Sequence, residues 1–254
     1  MSLKEKLRHC ELTIGSWLML GDISAVEILK HAGFEWLVID LEHTDIDFTR
    51  AKHLISAIQA NGMQALVRVS KNEEVVIKRI LDFGADGIIV PMVCSKADAE
   101  QAVSLATYPP KGTRGVGLFR AQQYGLNFKE YQKWVDEELV IIAQIEHINA
   151  ANNIKDIISV EGIDGAIIGP YDMSASMGVP GEYDREDVQS AITSVFDACK
   201  TMNKSVGFHV VETDPSVLLK RISQGCNLLA YSIDYFFMRD KAMECMQQVK
   251  AGIK

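Results

Sequence analysis

The stretch Val140-Ile141-Ile142-Ala143-Gln144-Ile145-Glu146-His147 decides how this chain is read. It begins as an unbroken run of apolar, mostly β-branched residues. That is the pattern of a strand buried on both faces. It ends in polar and ionisable groups. Gln144 and Glu146 are two residues apart, so they face the same side of their strand. The same pattern recurs along the chain. Strands are expected at Thr13–Leu20, Trp36–Leu41, Ala65–Val69, Gly87–Met92, Val140–Ile145, Gly165–Ile168, Val206–Val211 and Leu228–Ile233. Amphipathic stretches between them begin near Ser24, Phe48, Glu73, Lys96, Ala150, Arg185, Pro215 and Met238, with an extra helix over Phe128–Glu137. Units of about 25–30 residues are what βαβ crossovers require. Eight of them predict one α/β domain over residues 1–254, a (β/α)8 TIM barrel. A doubly wound sheet would carry a glycine-rich first turn. The only glycine-dense segment, Gly112-Thr113-Arg114-Gly115-Val116-Gly117, follows Tyr108-Pro109-Pro110 and not a strand, so it reads as a loop.

Composition excludes several classes. The 254 residues are 48% hydrophobic and 24% charged, which suits a folded globular chain. No apolar run reaches the ~18 residues of a membrane span. The first residues lack the apolar core of a signal peptide, so a cytoplasmic protein is expected. The five cysteines, Cys10, Cys94, Cys199, Cys226 and Cys245, are scattered and form no C-x-x-C, which argues against disulfides or a thiolate zinc site. A net charge of −8 without a basic block argues against nucleic-acid binding. An acidic substrate would need local cations or a metal.

Barrel enzymes place their chemistry at the C-terminal ends of the strands. Here those ends read Asp40-Leu41-Glu42-His43, Val67-Arg68-Val69, Gln144-Ile145-Glu146-His147, Gly169-Pro170-Tyr171-Asp172, and His209 with Glu212. Glu146 and Asp172 come from successive strand ends. Two such carboxylates can hold Mg²⁺ or Mn²⁺ and leave positions for substrate oxygens. Alternatively, Asp172 caps the helix that follows it. Arg68, in an apolar strand, either pairs with Asp40 or Glu42 or aims at a substrate carboxylate or enolate oxygen. His43 can act as a general base or as a hydrogen-bonded loop histidine. The roles of His147 and His209 stay open; His9, His31 and His53 read as structural. Lys71, in a solvated loop, offers no Schiff base, Cys94 reads as a small apolar residue, and no G-x-S-x-G elbow occurs.

These residues resemble the HpcH/HpaI aldolases. The likeness is carried by Gly33-Phe34-Glu35-Trp36 leading to Ile39-Asp40-Leu41-Glu42-His43, by Val67-Arg68, and by Ile80-Leu81-Asp82-Phe83-Gly84-Ala85. It continues through Val90-Pro91-Met92-Val93 and Tyr108-Pro109-Pro110-Lys111-Gly112-Thr113-Arg114-Gly115-Val116-Gly117 with Arg120-Ala121. Gln144-Ile145-Glu146 and Ile168-Gly169-Pro170-Tyr171-Asp172-Met173-Ser174 complete it. The resemblance implies a phosphoenolpyruvate/pyruvate-type barrel and a divalent metal (Mg²⁺, Mn²⁺ or Co²⁺) on Glu146 and Asp172. It implies a class II aldolase giving pyruvate and an aldehyde from a 4-hydroxy-2-oxo acid. Arg68 would stabilise the enolate oxygen, His43 would be the base, and Asp82 its acidic partner, supplied by a neighbouring subunit. Arg68, Gln144, Pro170 and Asp172 would bind substrate, and Glu42 would bond metal-bound water. A homo-oligomer, trimer or hexamer, with an exchanged C-terminal helix is also implied. The chain departs from the family at His147, in Gly207-Phe208-His209-Val210-Val211, and in a shortened loop before Arg120-Ala121. Those departures fall on the aldehyde half of the site. The alternatives are a decarboxylase of oxaloacetate-like acids, a citrate-lyase-like enzyme acting on a CoA ester, and a non-catalytic barrel. The last would be favoured by loss of Glu146, Asp172, Arg68 or His43, all of which are present.

Overall fold

Eight parallel strands pair in chain order, and the last closes on the first. They are β1 (Thr13–Leu18), β2 (Trp36–Asp40), β3 (Gln64–Arg68), β4 (Gly87–Val90), β5 (Val140–Ile145), β6 (Gly165–Ile168), β7 (Ser205–Val210) and β8 (Leu228–Ile233). The helices are α1 (Leu3–Arg8), α2 (Ile23–Ala32), α3 (Phe48–Ala60), α4 (Glu74–Asp82), α5 (Lys96–Ala106) and α6 (Phe128–Glu137). They continue as α7 (Ile148–Asn152), α8 (Ile154–Ile158), α9 (Pro170–Ser176), α10 (Glu186–Thr201), α11 (Pro215–Ser223) and α12 (Asp234–Gly252). This is the (β/α)8 barrel that the strand and helix patterns predict. The computed structural model describes residues 1–253.

Strand periodicity sorts the core into two layers. Trp36, Val38, Leu66, Val140, Ile142, Ile167 and Leu228 point inward and fill the barrel. Alternate residues such as Leu37, Ile39, Val67 and Ile141 point outward and pack with Leu54, Ile58, Ile77 and Ile157 of the surrounding helices. Continuing the inward register past the apolar layer brings Asp40, Arg68, Gln144 and Glu146 to the C-terminal mouth. That is why the strand ends carry the polar residues.

Besides the short α9, which starts at Pro170 ahead of the helix expected near Arg185, three elements differ from the sequence expectation. The single helix expected after β5 is split into α7 and α8 at Asn153, whose backbone leaves the helical region and whose side chain donates to the Cys94 carbonyl at 2.9 Å. The last helix begins at Asp234, not near Met238. The Asp234 carboxylate accepts the Met19 and Leu20 N–H groups, which ties the end of β1 to the start of α12. Beyond Asp234 no residue of this helix is buried, and Met238, Met243, Met246 and Val249 are exposed. Among the described residues no helix is long and apolar enough to cross a membrane.

The third difference is α1, for which there was no expectation. Its signal is the capping box Ser2-Leu3-Lys4-Glu5. Ser2 Oγ accepts the Glu5 N–H at 3.2 Å, and Glu5 accepts the Ser2 N–H at 2.8 Å. Six residues do not hold a helix alone. This one plugs the N-terminal end of the barrel with Leu3 and Leu7. Lys4 Nζ lies 2.6 Å from Asp164 and donates to the Leu139 carbonyl at 2.7 Å. Burial pushes the Lys4 pKa down and the Asp164 pKa up, the direction expected when both charges leave water. Removing one partner leaves the other buried and unpaired, at a cost of about 3–5 kcal/mol. Lys4→Ala is therefore expected to lower the unfolding free energy in urea by about 3 kcal/mol. A double variant, Lys4→Met with Asp164→Leu, should recover much of that loss. An unaltered urea midpoint in the single variant would contradict the plug.

Candidate active site

β2 and β3 pair with Asp40 opposite Arg68. Asp40 is fully buried and Arg68 nearly so. Arg68 Nε donates to Asp40 Oδ1 at 2.9 Å and Nη2 to Oδ2 at 2.6 Å, a two-pronged clamp that fixes the guanidinium plane. Nη1 lies 3.3 Å from Glu42 Oε2 without hydrogen-bond geometry. The indole of Trp17 supports the guanidinium, 4.4 Å from its ring centre. Burial opposes the charge on Arg68, but its bonds to Asp40 more than compensate and raise its pKa. Of the two readings of Arg68, the ion pair with Asp40 is present, and it leaves Nη1 facing the mouth beside Glu42.

Glu146 is also buried. Its Oε1 accepts the Met92 N–H at 2.7 Å, and its Oε2 accepts the Gln144 amide. Burial pushes its pKa up, and the Asp172 charge adds to the effect, against the Met92 and Gln144 hydrogen bonds. Burial likewise raises Glu42, with Glu146 adding and Arg68 opposing. Asp172 sits exposed in the first turn of α9. The cap residue of that helix is Gly169 and makes no side-chain bond, so Asp172 is not the helix cap. A Cβ at Gly169 would come within 3.3 Å of the Glu146 Cβ and 3.5 Å of its carboxylate. The missing side chain leaves the carboxylate its room.

Arg68, Gln144, Pro170 and Asp172 line one cavity of ≈ 50 Å³ at the C-terminal mouth, together with Trp17 and His209. Size alone would not pick it. A hollow of ≈ 520 Å³ lies at the other end of the barrel around Lys4 and Asp164, whose charges are already paired. His43 lies beside the mouth, its side chain 58% exposed and its Nε2 3.6 Å from Glu42. His147 is accounted for: it caps α7, its Nδ1 accepting the Asn149 N–H at 3.1 Å. Glu212 accepts a hydrogen bond from Tyr183. Asp82 is not at this mouth. It ends α4, at the opposite end of its own barrel, where the buried Arg114 holds it at 2.7 Å and also donates to Tyr131. The glycine-dense segment that contains Arg114 is a loop, as its sequence suggests, and all five cysteines are free.

The HpcH/HpaI aldolase/citrate lyase family matches residues 13–239. The chain belongs to this family. Among HpcH/HpaI relatives, it is 36% identical over 245 residues to the 2-dehydro-3,6-dideoxy-6-sulfogluconate aldolase of Pseudomonas putida, covering 96% of this chain and 95% of that one. It is 34% identical over 251 residues to the hydroxypyruvate/pyruvate aldolase of Pseudomonas aeruginosa, covering 98% and 92%. A crystal structure of an HpcH/HpaI aldolase/citrate lyase family protein from Burkholderia cenocepacia has a TM-score of 0.92, 32% identity and 98% coverage of each chain. The HpcH/HpaI chain described here is thus an aldolase, a carbon–carbon lyase.

Aldolases of this family depend on a divalent metal. The described residues hold no cluster of three or more His, Cys, Asp or Glu side chains with metal-binding geometry. The mouth instead offers carboxylates with a carboxamide beside them, and both Glu42 Oε2 and Gln144 Oε1 are buried without a partner. A hard cation that keeps several water or substrate ligands needs only one or two carboxylates, so these residues fit it.

His209 makes the mouth sensitive to acid. Burial, with the nearby Arg68 charge, pushes its pKa from 6.5 down to about 3. Between those values the unfolded chain binds the proton more readily, so falling pH favours unfolding. His209→Gln lacks this penalty. The melting temperature of the variant minus that of the unaltered protein is expected to rise from about pH 7 to about pH 4.5. A difference that does not move with pH would contradict the buried, neutral imidazole.

Proposed function

We propose that this aldolase cleaves, or in reverse forms, a 4-hydroxy-2-oxo acid, with pyruvate and an aldehyde as the other pair. The carrying observation is the clamped Arg68 opening on the same cavity as Gln144 and Asp172, beside the buried Glu146. In the cleavage direction the C4 hydroxyl loses its proton and the C3–C4 bond breaks. The aldehyde departs, and the electron pair passes to a three-carbon enolate, which is protonated to pyruvate.

Glu146 and Asp172 would hold the divalent cation, Mg²⁺, Mn²⁺ or Co²⁺, with Gln144 and Glu42 beside them. Once bound, it supplies a Lewis acid against the oxygen that gains charge. Arg68 contributes a second, fixed positive charge at that oxygen. Because Asp40 sets its plane before substrate arrives, little reorganisation is needed at the transition state. Pro170 and Asp172, at the start of α9, border the 2-oxo acid. His43 is the base for the C4 hydroxyl, and its exposure lets it exchange that proton with water. Asp82, at the far end of its own barrel, would reach a His43 only from a second copy of the chain. The exposed Met238, Met243, Met246 and Val249 of α12 favour a homo-oligomer, a trimer or hexamer. A monomer mass by light scattering would contradict that.

Proton NMR of pyruvate in D₂O tests this reading without a guess at the aldehyde. Methyl-proton loss is expected with Mg²⁺ or Mn²⁺ and should stop with EDTA. Exchange that persists in EDTA, or its absence with every metal, would overturn it. Glu146→Gln should lose Mn²⁺ binding by calorimetry along with exchange. His43→Ala should retain Mn²⁺ but cleave about 10²-fold more slowly or worse. Unchanged turnover in that variant would remove His43 as the base.

A further inference from the structure

Two polar atoms in the mouth are left over by the chemistry above. β1 sends in Trp17 and β7 sends in His209, their ring centres 5.0 Å apart and their planes tilted by 43°. Trp17 is 2% exposed and touches both His209 and the Arg68 guanidinium. Trp17 Nε1 and His209 Nε2 are both buried and have no hydrogen-bond partner. A buried polar group left in this state is destabilising, and a ligand that completes its hydrogen bond removes that cost.

The two atoms are chemically complementary. An indole N–H only donates. Burial keeps the imidazole neutral; with its proton on Nδ1, Nε2 is an acceptor. A hydroxyl is the small group that accepts from one and donates to the other. A carboxylate or sulfonate would accept from Trp17 but repel the His209 lone pair. A methyl group would leave both atoms unpaired.

We propose that Trp17 and His209 form a hydroxyl-reading subsite in the cavity that takes the 2-oxo acid. It makes this enzyme prefer a substrate with a hydroxyl next to the carbon that forms the new bond, or on that carbon itself, over the deoxy analogue. The proposal rests on the aldolase reading above. The hydroxyl belongs either to the 2-oxo acid or to the aldehyde, and the test separates the two.

The measurement is kcat/KM with Mg²⁺ for hydroxypyruvate against pyruvate as donor, and for glycolaldehyde against acetaldehyde as acceptor. The unaltered protein, His209→Leu and His209→Gln are compared. The unaltered protein should favour the hydroxylated partner in one arm by roughly tenfold or more, the worth of one buried hydrogen bond. His209→Leu should erase that preference, chiefly through KM for the hydroxylated substrate. His209→Gln, which keeps an acceptor, should restore most of it. The arm in which the preference lies assigns the hydroxyl to donor or acceptor. Equal ratios in all three proteins, or a uniform loss with every substrate, would overturn the subsite. Pyruvate methyl exchange in the unaltered protein is the control. Its absence overturns the aldolase reading and the subsite with it, whereas exchange without a hydroxyl preference overturns the subsite alone.

Discussion

Asp40 and Arg68 face each other across β2 and β3 with both charges out of water, and neither could remain there without the other. The pair is bidentate, so it sets a plane as well as a charge. Strand register makes it possible, because the same inward phase that buries Val38 and Leu66 carries Asp40 and Arg68 one step higher. Trp17 lies over the guanidinium and in turn packs at a tilt against His209. The remaining nitrogen, Nη1, is directed to the mouth beside Glu42. A chain with a net charge of −8 thus presents a fixed cation at the C-terminal mouth of its barrel.

Around that cation the mouth is otherwise acidic. Glu42 and Glu146 are each raised by burial and raised further by a neighbouring carboxylate. Such crowding favours any arrangement that adds positive charge, and a divalent cation does so directly. The Met92 N–H and the Gln144 amide hold Glu146 in one orientation, and Gly169 keeps the space before it clear. The site is thereby built on strand ends and their immediate neighbours, with long loops left out of its innermost layer.

Much of this is local in sequence and was legible there. The eight apolar runs, the two-residue spacing of Gln144 and Glu146, and the lone arginine in β3 all follow from strand periodicity. What escaped is set by contacts between distant residues. Trp17 and His209 are far apart in the chain and meet only when β1, β7 and β8 close the barrel. Of the two readings of Arg68, the structure shows the ion pair with Asp40, and it leaves Nη1 outside that clamp beside Glu42. Asp82 illustrates the opposite case. Its family pattern was readable, yet its place at the end of α4 puts it against Arg114 and away from its own mouth. The plug α1 did carry a local signal, the Ser2–Glu5 capping box, in a segment whose apolar content gave no other sign of structure.

The most direct test is pyruvate methyl exchange in Arg68→Lys with Mn²⁺ binding measured alongside. Lysine keeps the charge but cannot form the planar fork with Asp40. Exchange is expected to fall by about 10²-fold or more while Mn²⁺ binding persists, as for the loss of one oriented donor at a developing oxyanion. Exchange at the rate of the unaltered protein would contradict a mechanism in which Asp40 aims Arg68 at the enolate.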